Sequence, residues 1–177
     1  LADYTRVRHY PEANGPEGLL QAAMDAQARL IPKWMGVGFI HGVMNTDNCQ
    51  IAGETIDYGP CAFMDAFSSD RVFSSIDRSG RYAYANQPDI AVWNMAQLAT
   101  ALVPLMPDTD AAIEQFTAML HDMKDALRKE WLCVFAAKIG IESPQDSDAA
   151  LITELLEMME TGGSDFTNTF NALTNGS

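Results

Sequence analysis

The sequence has 177 residues, of which 47% are hydrophobic and 20% are charged, a composition typical of one globular domain with its own core. Its net charge of -13 argues against broad binding to nucleic acids or anionic membranes, both of which attract basic surfaces. No apolar stretch approaches the ~20 residues that a membrane-spanning helix needs.

The cysteines indicate a reducing compartment. Cys49, Cys61 and Cys133 are odd in number and form no C-x-x-C pair, so neither a disulfide framework nor a cysteine zinc site is expected. The bacterial cytoplasm is the preferred location, with mitochondria as the location for a eukaryotic relative. The first residue is Leu1 and no secretory pattern follows it, so we expect a processed or excised piece of a longer protein.

Helical patterns dominate from the start of the chain. Pro16 suits a first helical turn, and apolar residues at helical spacing follow it, although Pro32 should kink or end this helix. Two short runs, residues 49–52 and 55–58, flank Gly53-Glu54. A glycine at the first position of a two-residue loop favours a β-hairpin, so we predict a strand pair here.

The second half of the chain is predicted to be a long loop followed by helices. Residues 60–86 lack periodicity, and a loop of that length in a compact domain is usually functional or structurally fixed. Together the elements predict a single, mainly α domain over residues 1–177 with one small β-hairpin. The predicted helices run from Pro88 to near Pro104, from Asp108 to about Ile139, onward from a cap at residues 143–146, and onward from Ser164.

One segment carries the pattern of a phosphotransferase loop. Such a loop contains H-x-D, four further residues and an asparagine, and an Asp-x-Gly follows on the next strand. Here His41 precedes Asn48 by seven residues, and Asp57 begins Asp-Tyr-Gly. The position of the usual catalytic aspartate holds Val43. The expected metal ligands are therefore present while the usual base is missing.

The residue types suit a metal-bound nucleotide. The Asn48 carbonyl oxygen and the Asp57 carboxylate are the hard ligands that Mg²⁺ or Mn²⁺ prefers, and the predicted hairpin would bring them to one edge. Asp47 is the remaining carboxylate inside the loop and hence the candidate base, while His41 is expected to orient the loop through hydrogen bonds. Alone, residues 45–48 favour a plain turn; with His41 and Asp57 at these spacings, we favour a site.

A family resemblance becomes specific at this point. The segments HGVMNTDN, TIDYGP, FMDAF, GRYAY, NQP and VWNMAQLA, in this order, resemble the selenoprotein O family, also known as the YdiU family. The opening LADYTRVRHYPE is similar to the part of that family just after its nucleotide-binding lobe. The resemblance covers most of residues 1–106, and only helical character extends it further.

The resemblance implies a protein-kinase-like fold that binds ATP in a flipped orientation and transfers AMP to hydroxyl side chains of proteins. It implies Asp47 as the catalytic base, with Asn48 and Asp57 as ligands of Mg²⁺ or Mn²⁺ and of the nucleotide. It also accounts for Val43, because attack on the α-phosphate needs no base placed for the γ-phosphate. The partners implied are ATP and protein substrates with Ser, Thr or Tyr hydroxyls, without nucleic acid or membrane.

The same resemblance implies that this chain is the C-terminal lobe alone. The family's lysine–glutamate pair, glycine-containing loop and phosphate-binding arginines belong to the N-terminal lobe, and its redox-active residue near the C-terminus has no match in Cys133. We therefore expect the isolated chain to be inactive. Two alternatives stay open: a nucleotide-binding pseudoenzyme or interaction module, and a kinase-fold phosphotransferase with a displaced base.

Overall fold

The computed structural model describes residues 1–176 and consists mainly of helices, as the sequence predicts. One antiparallel pair of two-residue strands forms the sheet, with Phe39 opposite Phe63 and Ile40 opposite Ala62. Short 3-10 turns cover Thr46–Asn48, Tyr84–Asn86 and Val103–Leu105. The elements in chain order are α1 (Ala2–His9), α2 (Gly15–Gly36), β1 (Phe39–Ile40), β2 (Ala62–Phe63), α3 (Gln87–Leu102), α4 (Thr109–Lys138), α5 (Asp148–Gly162) and α6 (Phe166–Asn175).

Local chemistry sets most helix boundaries. The Asp108 carboxylate caps α4 by accepting a hydrogen bond from the Ala111 amide at 3.0 Å, and Asp165 caps α6 in the same way. Two predicted boundaries were wrong, and one helix was missed. Helix α1 was not predicted, α5 begins at Asp148 and not at the predicted cap of residues 143–146, and the cap of α6 is one residue beyond Ser164.

Pro32 does not end α2, which continues to Gly36. Its neighbours Ile31 and Met35 are buried in the core, as is the proline ring itself. This packing outweighs the backbone hydrogen bond that proline cannot make. As a result, α2 is the central helix of the fold and packs against α1, α3 and α4.

The strands do not lie where the sequence predicted them. Residues 49–52 and 55–58 form only an isolated antiparallel bridge between Cys49 and Thr55. The Gln27 side chain donates to the Gln50 carbonyl at 2.8 Å, and the Tyr10 hydroxyl donates to the Ile51 carbonyl at 2.7 Å. These bonds use carbonyls that a strand ladder would need. The observed strands β1 and β2 instead close the base of the loop.

An aromatic cluster fixes the segment that follows β2. The Phe166 ring lies 5.9 Å from that of Phe67 and 5.1 Å from that of Phe170. Backbone bonds reinforce the packing, since the Phe166 amide donates to the Asp65 carbonyl and the Phe67 amide donates to Ser164. Helix α6 therefore anchors the beginning of the long loop.

The long loop predicted at residues 60–86 is confirmed, since it contains no regular secondary structure apart from β2 and one 3-10 turn. The Glu160 carboxylate of α5 accepts bonds from both the amide and the hydroxyl of Ser69.

Of the helices formed by residues 1–176, none is both long and apolar enough to span a bilayer.

Candidate active site

The segment between β1 and β2 is irregular, and side chains of α3 satisfy its backbone. Gln87, fully buried, accepts from the His41 amide and donates to the Phe39 carbonyl, both at 3.0 Å. Asn94, also buried, donates to the Met44 carbonyl at 3.1 Å. Buried peptide groups need such partners, because each unpaired one is costly. These two amides therefore hold the start of the loop against α3.

His41 joins the two ends of the site. Its side chain is fully buried, and Nε2 lies 2.7 Å from the Ile56 carbonyl oxygen. The Val43 amide points at Nδ1 at 3.4 Å, so Nδ1 accepts and Nε2 carries the hydrogen that is donated to Ile56. The ring of Trp34 covers the imidazole at 5.3 Å between centroids. His41 thus orients the loop through hydrogen bonds, in agreement with the sequence interpretation.

Asn48 has a fixed amide with one free oxygen. Its Nδ2 donates to the Val43 carbonyl at 3.0 Å, and its backbone amide donates to the Asn45 carbonyl at 3.0 Å. Within residues 1–176, Oδ1 of Asn48 receives no hydrogen bond. The half-buried side chain therefore keeps a carbonyl oxygen available to a ligand.

Asp57 directly follows the residue that His41 holds. Its φ of +54° makes it the one non-glycine residue with a positive φ in the described part of the chain. Aspartate tolerates this left-handed region better than most residues do. The carboxylate is exposed, and its one recorded contact is a long hydrogen bond of 3.4 Å from the Gly59 amide. Its oxygens remain available.

The backbone crosses closely at Gly42. With a φ of +82°, this residue adopts a conformation that favours glycine, and a Cβ there would lie 3.0 Å from the Pro60 carbonyl oxygen. The loop can close on itself only because Gly42 has no side chain. The crossing brings the beginning of the loop next to the residues that follow Asp57.

The structure joins Asn48 and Asp57 through one chain of hydrogen bonds. Asn48 contacts the Val43 carbonyl, the Val43 amide contacts His41, and His41 contacts the residue before Asp57. Asp47 lies beside Asn48 in the 3-10 turn, and its exposed carboxylate has no protein partner among the described residues. The roles of Asp47, Asn48 and Asp57 as base and metal ligands of one site stay a prediction.

The donor set fits a small divalent cation. One carboxylate and one amide oxygen are hard ligands, and Mg²⁺ commonly takes one or two carboxylates together with phosphate oxygens and water. No cluster of three or more His, Cys, Asp or Glu residues suited to a metal occurs in residues 1–176. An ion held by Asn48 and Asp57 would need its other ligands from a nucleotide and solvent.

A cavity of about 400 Å³ lies behind the loop, against α3. Burial raises the pKa of the Cys49 thiol to about 11, and the Asn94 side chain opposes this shift to a smaller extent. Cys49 is therefore a protonated packing residue and no nucleophile, despite its place next to Asn48. The lining residues are Thr46, Cys49, Ile51, Asn94, Met95, Gln97 and Leu98.

Sequence reasoning missed the residues that support the site. Gln87 and Asn94 lie in the segments NQP and VWNMAQLA, which carried the family resemblance without an assigned role. The sequence pattern that could have identified Gln87 and Asn94 is their position on the apolar face of the helix, at helical spacing from Ile90 and Ala91. Tyr82 was missed as well, and its hydroxyl donates to the Asn45 side chain.

Comparison with known proteins gives a consistent result. The family described as "Protein adenylyltransferase SelO" matches residues 1–177. The chain is 65% identical to "Protein nucleotidyltransferase YdiU" of Ruegeria pomeroyi, over 98% of this chain and 37% of the relative. Proteins of the same name from a Jannaschia species and from Halalkalibacterium halodurans are 62% and 52% identical, over 98% of this chain and 36% and 37% of their own lengths. The chain thus spans little more than a third of these relatives.

Replacing Gln87 by alanine should destabilise the chain strongly. The His41 amide and the Phe39 carbonyl would both lose a buried partner, so we expect the free energy of unfolding to fall by about 2–4 kcal/mol. Urea denaturation of Gln87→Ala measures this. The control is Gln21→Ala, because Gln21 is exposed and bonds only to Asp25; its loss should stay below about 0.5 kcal/mol. Equal losses in the two variants would contradict the clamping role.

Cys49 should resist alkylation in the folded chain. With a pKa of about 11, its thiolate fraction at pH 8 is about 0.1%. Iodoacetamide labelling followed by peptide mass spectrometry should therefore show slow modification that speeds up about tenfold per pH unit up to about pH 10. The matched control is the same residue in the denatured chain, where it should label as an ordinary thiol. Native labelling at the denatured rate would show that the thiol is not buried.

Proposed function

The chain belongs to the protein adenylyltransferase SelO family, and on that premise we propose that the whole protein transfers AMP from ATP to protein hydroxyl groups. In this proposal the present chain supplies the base and the metal ligands. The observation that carries it is the hydrogen-bonded chain from Asn48 through Val43 and His41 to Ile56, which leaves oxygens of Asn48 and Asp57 available.

Asp47 is proposed as the general base. Its exposed carboxylate would accept the proton of a Ser, Thr or Tyr hydroxyl of the substrate protein. The hydroxyl oxygen then bonds to the α-phosphorus of ATP, and the bond from that phosphorus to the oxygen bridging to the β-phosphate breaks. Pyrophosphate leaves with the bonding electrons, and the product is a phosphodiester between AMP and the protein.

Asn48 and Asp57 are proposed to hold Mg²⁺ or Mn²⁺ together with the nucleotide. The ion, when bound, would neutralise charge on the phosphates. The side chains of this chain would do the positioning, which is most of the catalysis in phosphoryl-type transfer. His41 contributes by fixing the backbone immediately before Asp57, and the left-handed conformation of Asp57 is part of that fixed geometry.

Val43 supports the proposal through its backbone. Its amide and its carbonyl both take part in the bonded chain, so the position contributes peptide groups whatever side chain it carries. A kinase reaction uses an aspartate at this position as its base, and valine cannot take that role. Asp47 is the carboxylate that remains within the loop segment of residues 41–48.

We further propose that this chain does not turn over alone and that the protein acts in the cytoplasm. The chain spans 37% of the Ruegeria pomeroyi relative, so most of the machinery that would clamp the nucleotide lies in the remainder of such a protein. The three cysteines are free thiols, which supports a reducing compartment. The net charge of -13 supports protein and nucleotide partners over nucleic acid or anionic membrane.

Removing the base or a metal ligand should abolish AMP transfer. In the full-length protein, Asp47→Ala and Asp57→Ala should each lower kcat by about 100-fold or more, the usual range for lost general-base or charge-stabilising groups. Transfer of label from [α-³²P]ATP to protein, with release of pyrophosphate, measures this. Asp122→Ala, which removes an exposed carboxylate in the middle of α4, is the control and should keep full activity.

The identity of the leaving product separates this proposal from the alternatives. Release of ADP with a phosphorylated acceptor would show a phosphotransferase with a displaced base. Metal-dependent ATP binding by the full-length protein without any transfer would show a nucleotide-binding pseudoenzyme. Undiminished AMP transfer by Asp57→Ala would contradict the metal assignment.

A further inference from the structure

An exposed arginine stands on two aromatic rings beside the candidate site. The Arg81 guanidinium carbon lies 4.6 Å from the ring centroid of Trp93 and 5.7 Å from that of Tyr82. In the described part of the chain, no carboxylate lies within 4.0 Å of this guanidinium. An arginine stacked on aromatic faces keeps its N–H groups free at the edge, where they suit a planar carboxylate.

The local backbone is organised in a way that leaves Arg81 unneutralised. The Asp77 carboxylate accepts hydrogen bonds from the backbone amides of Arg81 at 2.9 Å and Tyr82 at 2.8 Å. It therefore serves the turn and not the guanidinium. Gly80 has a φ of +71° within this turn, and its carbonyl accepts a bond from the Asn86 side chain at 2.8 Å. The residues that present Arg81 are held in place before any ligand arrives.

The turn is attached directly to the loop that carries the candidate base. The Tyr82 hydroxyl donates to the Asn45 side chain, while the Asn45 carbonyl accepts from the Asn48 amide. Asn45 lies two residues before Asp47 in sequence. The platform formed by Arg81, Tyr82 and Trp93 is thus bonded to a residue that lies two positions before the proposed base.

The charge around this platform differs from that of the rest of the chain. Residues 70–82 contain three arginines, Arg71, Arg78 and Arg81, against two carboxylates, Asp70 and Asp77, in a chain with a net charge of -13. A positive segment on a strongly acidic protein is a place where an acidic partner can approach without repulsion. The side of the site next to Asn45 thus favours an anionic group.

We propose that Arg81, seated on Trp93 and Tyr82, binds an Asp or Glu side chain of the substrate protein close to the hydroxyl that receives AMP. Arg81 would then be a specificity residue that favours acceptors in acidic surroundings. This inference rests on the proposed function. We assign the site to a carboxylate of the acceptor because Tyr82 attaches the platform to Asn45, which lies two residues before the proposed base Asp47.

The test uses the full-length protein and two synthetic acceptor peptides. Both carry a single serine, flanked by aspartates in one peptide and by asparagines in the other. With wild-type protein, kcat/KM for AMP transfer should be about fivefold higher for the aspartate peptide, the upper range for an exposed ion pair. Arg81→Ala should make the peptides equal, and Arg81→Lys should retain part of the preference, because lysine keeps the charge without the planar fork.

Arg8→Ala is the matched control, since it removes an exposed arginine of α1 that contacts the Tyr4 hydroxyl. It should keep the fivefold preference. Equal use of the two peptides by wild-type protein, or a preference that survives Arg81→Ala, would overturn the inference while AMP transfer itself stands. If Arg81→Ala raised the KM for ATP equally with both peptides, relative to the wild-type protein, Arg81 would be assigned to the nucleotide and the inference would be overturned. Absence of AMP transfer to any acceptor, including the protein itself, would overturn the proposed function and this inference together.

Discussion

The loop between β1 and β2 contains buried backbone groups that no strand ladder or helix can satisfy, and the side chains of Gln87, Asn94 and His41 provide their hydrogen bonds. Gln87 serves two peptide groups at the end of β1, and Asn94 serves Met44. His41 then spans the loop to Ile56. Because irregular backbone can be buried only when each group finds a partner, the shape of the site depends on these three side chains.

This constraint fixes the backbone around Asn48 and Asp57, the two residues proposed to bind the ion. Asn48 is fixed by its own amide, and Asp57 is fixed by its neighbour and by its left-handed backbone. Helices α2 and α3 supply the support, and α4 packs against both of them. A side chain also fixes the backbone at the Arg81 platform. The Asp77 carboxylate accepts hydrogen bonds from the backbone amides of Arg81 and Tyr82, and the Arg81 guanidinium stays free.

Local chemistry made much of the fold predictable. The helices α3 and α4 follow from Pro88, from the Asp108 cap and from apolar spacing, and the spacing of His41, Asn48 and Asp57 marked the loop. The strand pair could not be placed, because Tyr10 and Gln27, far away in sequence, take the carbonyls of residues 50 and 51. The role of Gln87 was hidden for the same reason: its partners lie more than forty residues away.

We propose that this bonded loop holds a divalent cation through Asn48 and Asp57. A crystal structure of the full-length protein with Mn²⁺ and a non-hydrolysable ATP analogue, with the ion located by its anomalous signal, tests it most directly. We expect an Mn²⁺ ion about 2.0–2.4 Å from Oδ1 of Asn48 and from the Asp57 carboxylate, with phosphate oxygens completing its shell. An ion bound to the nucleotide without either residue would show that Asn48 and Asp57 are not its ligands.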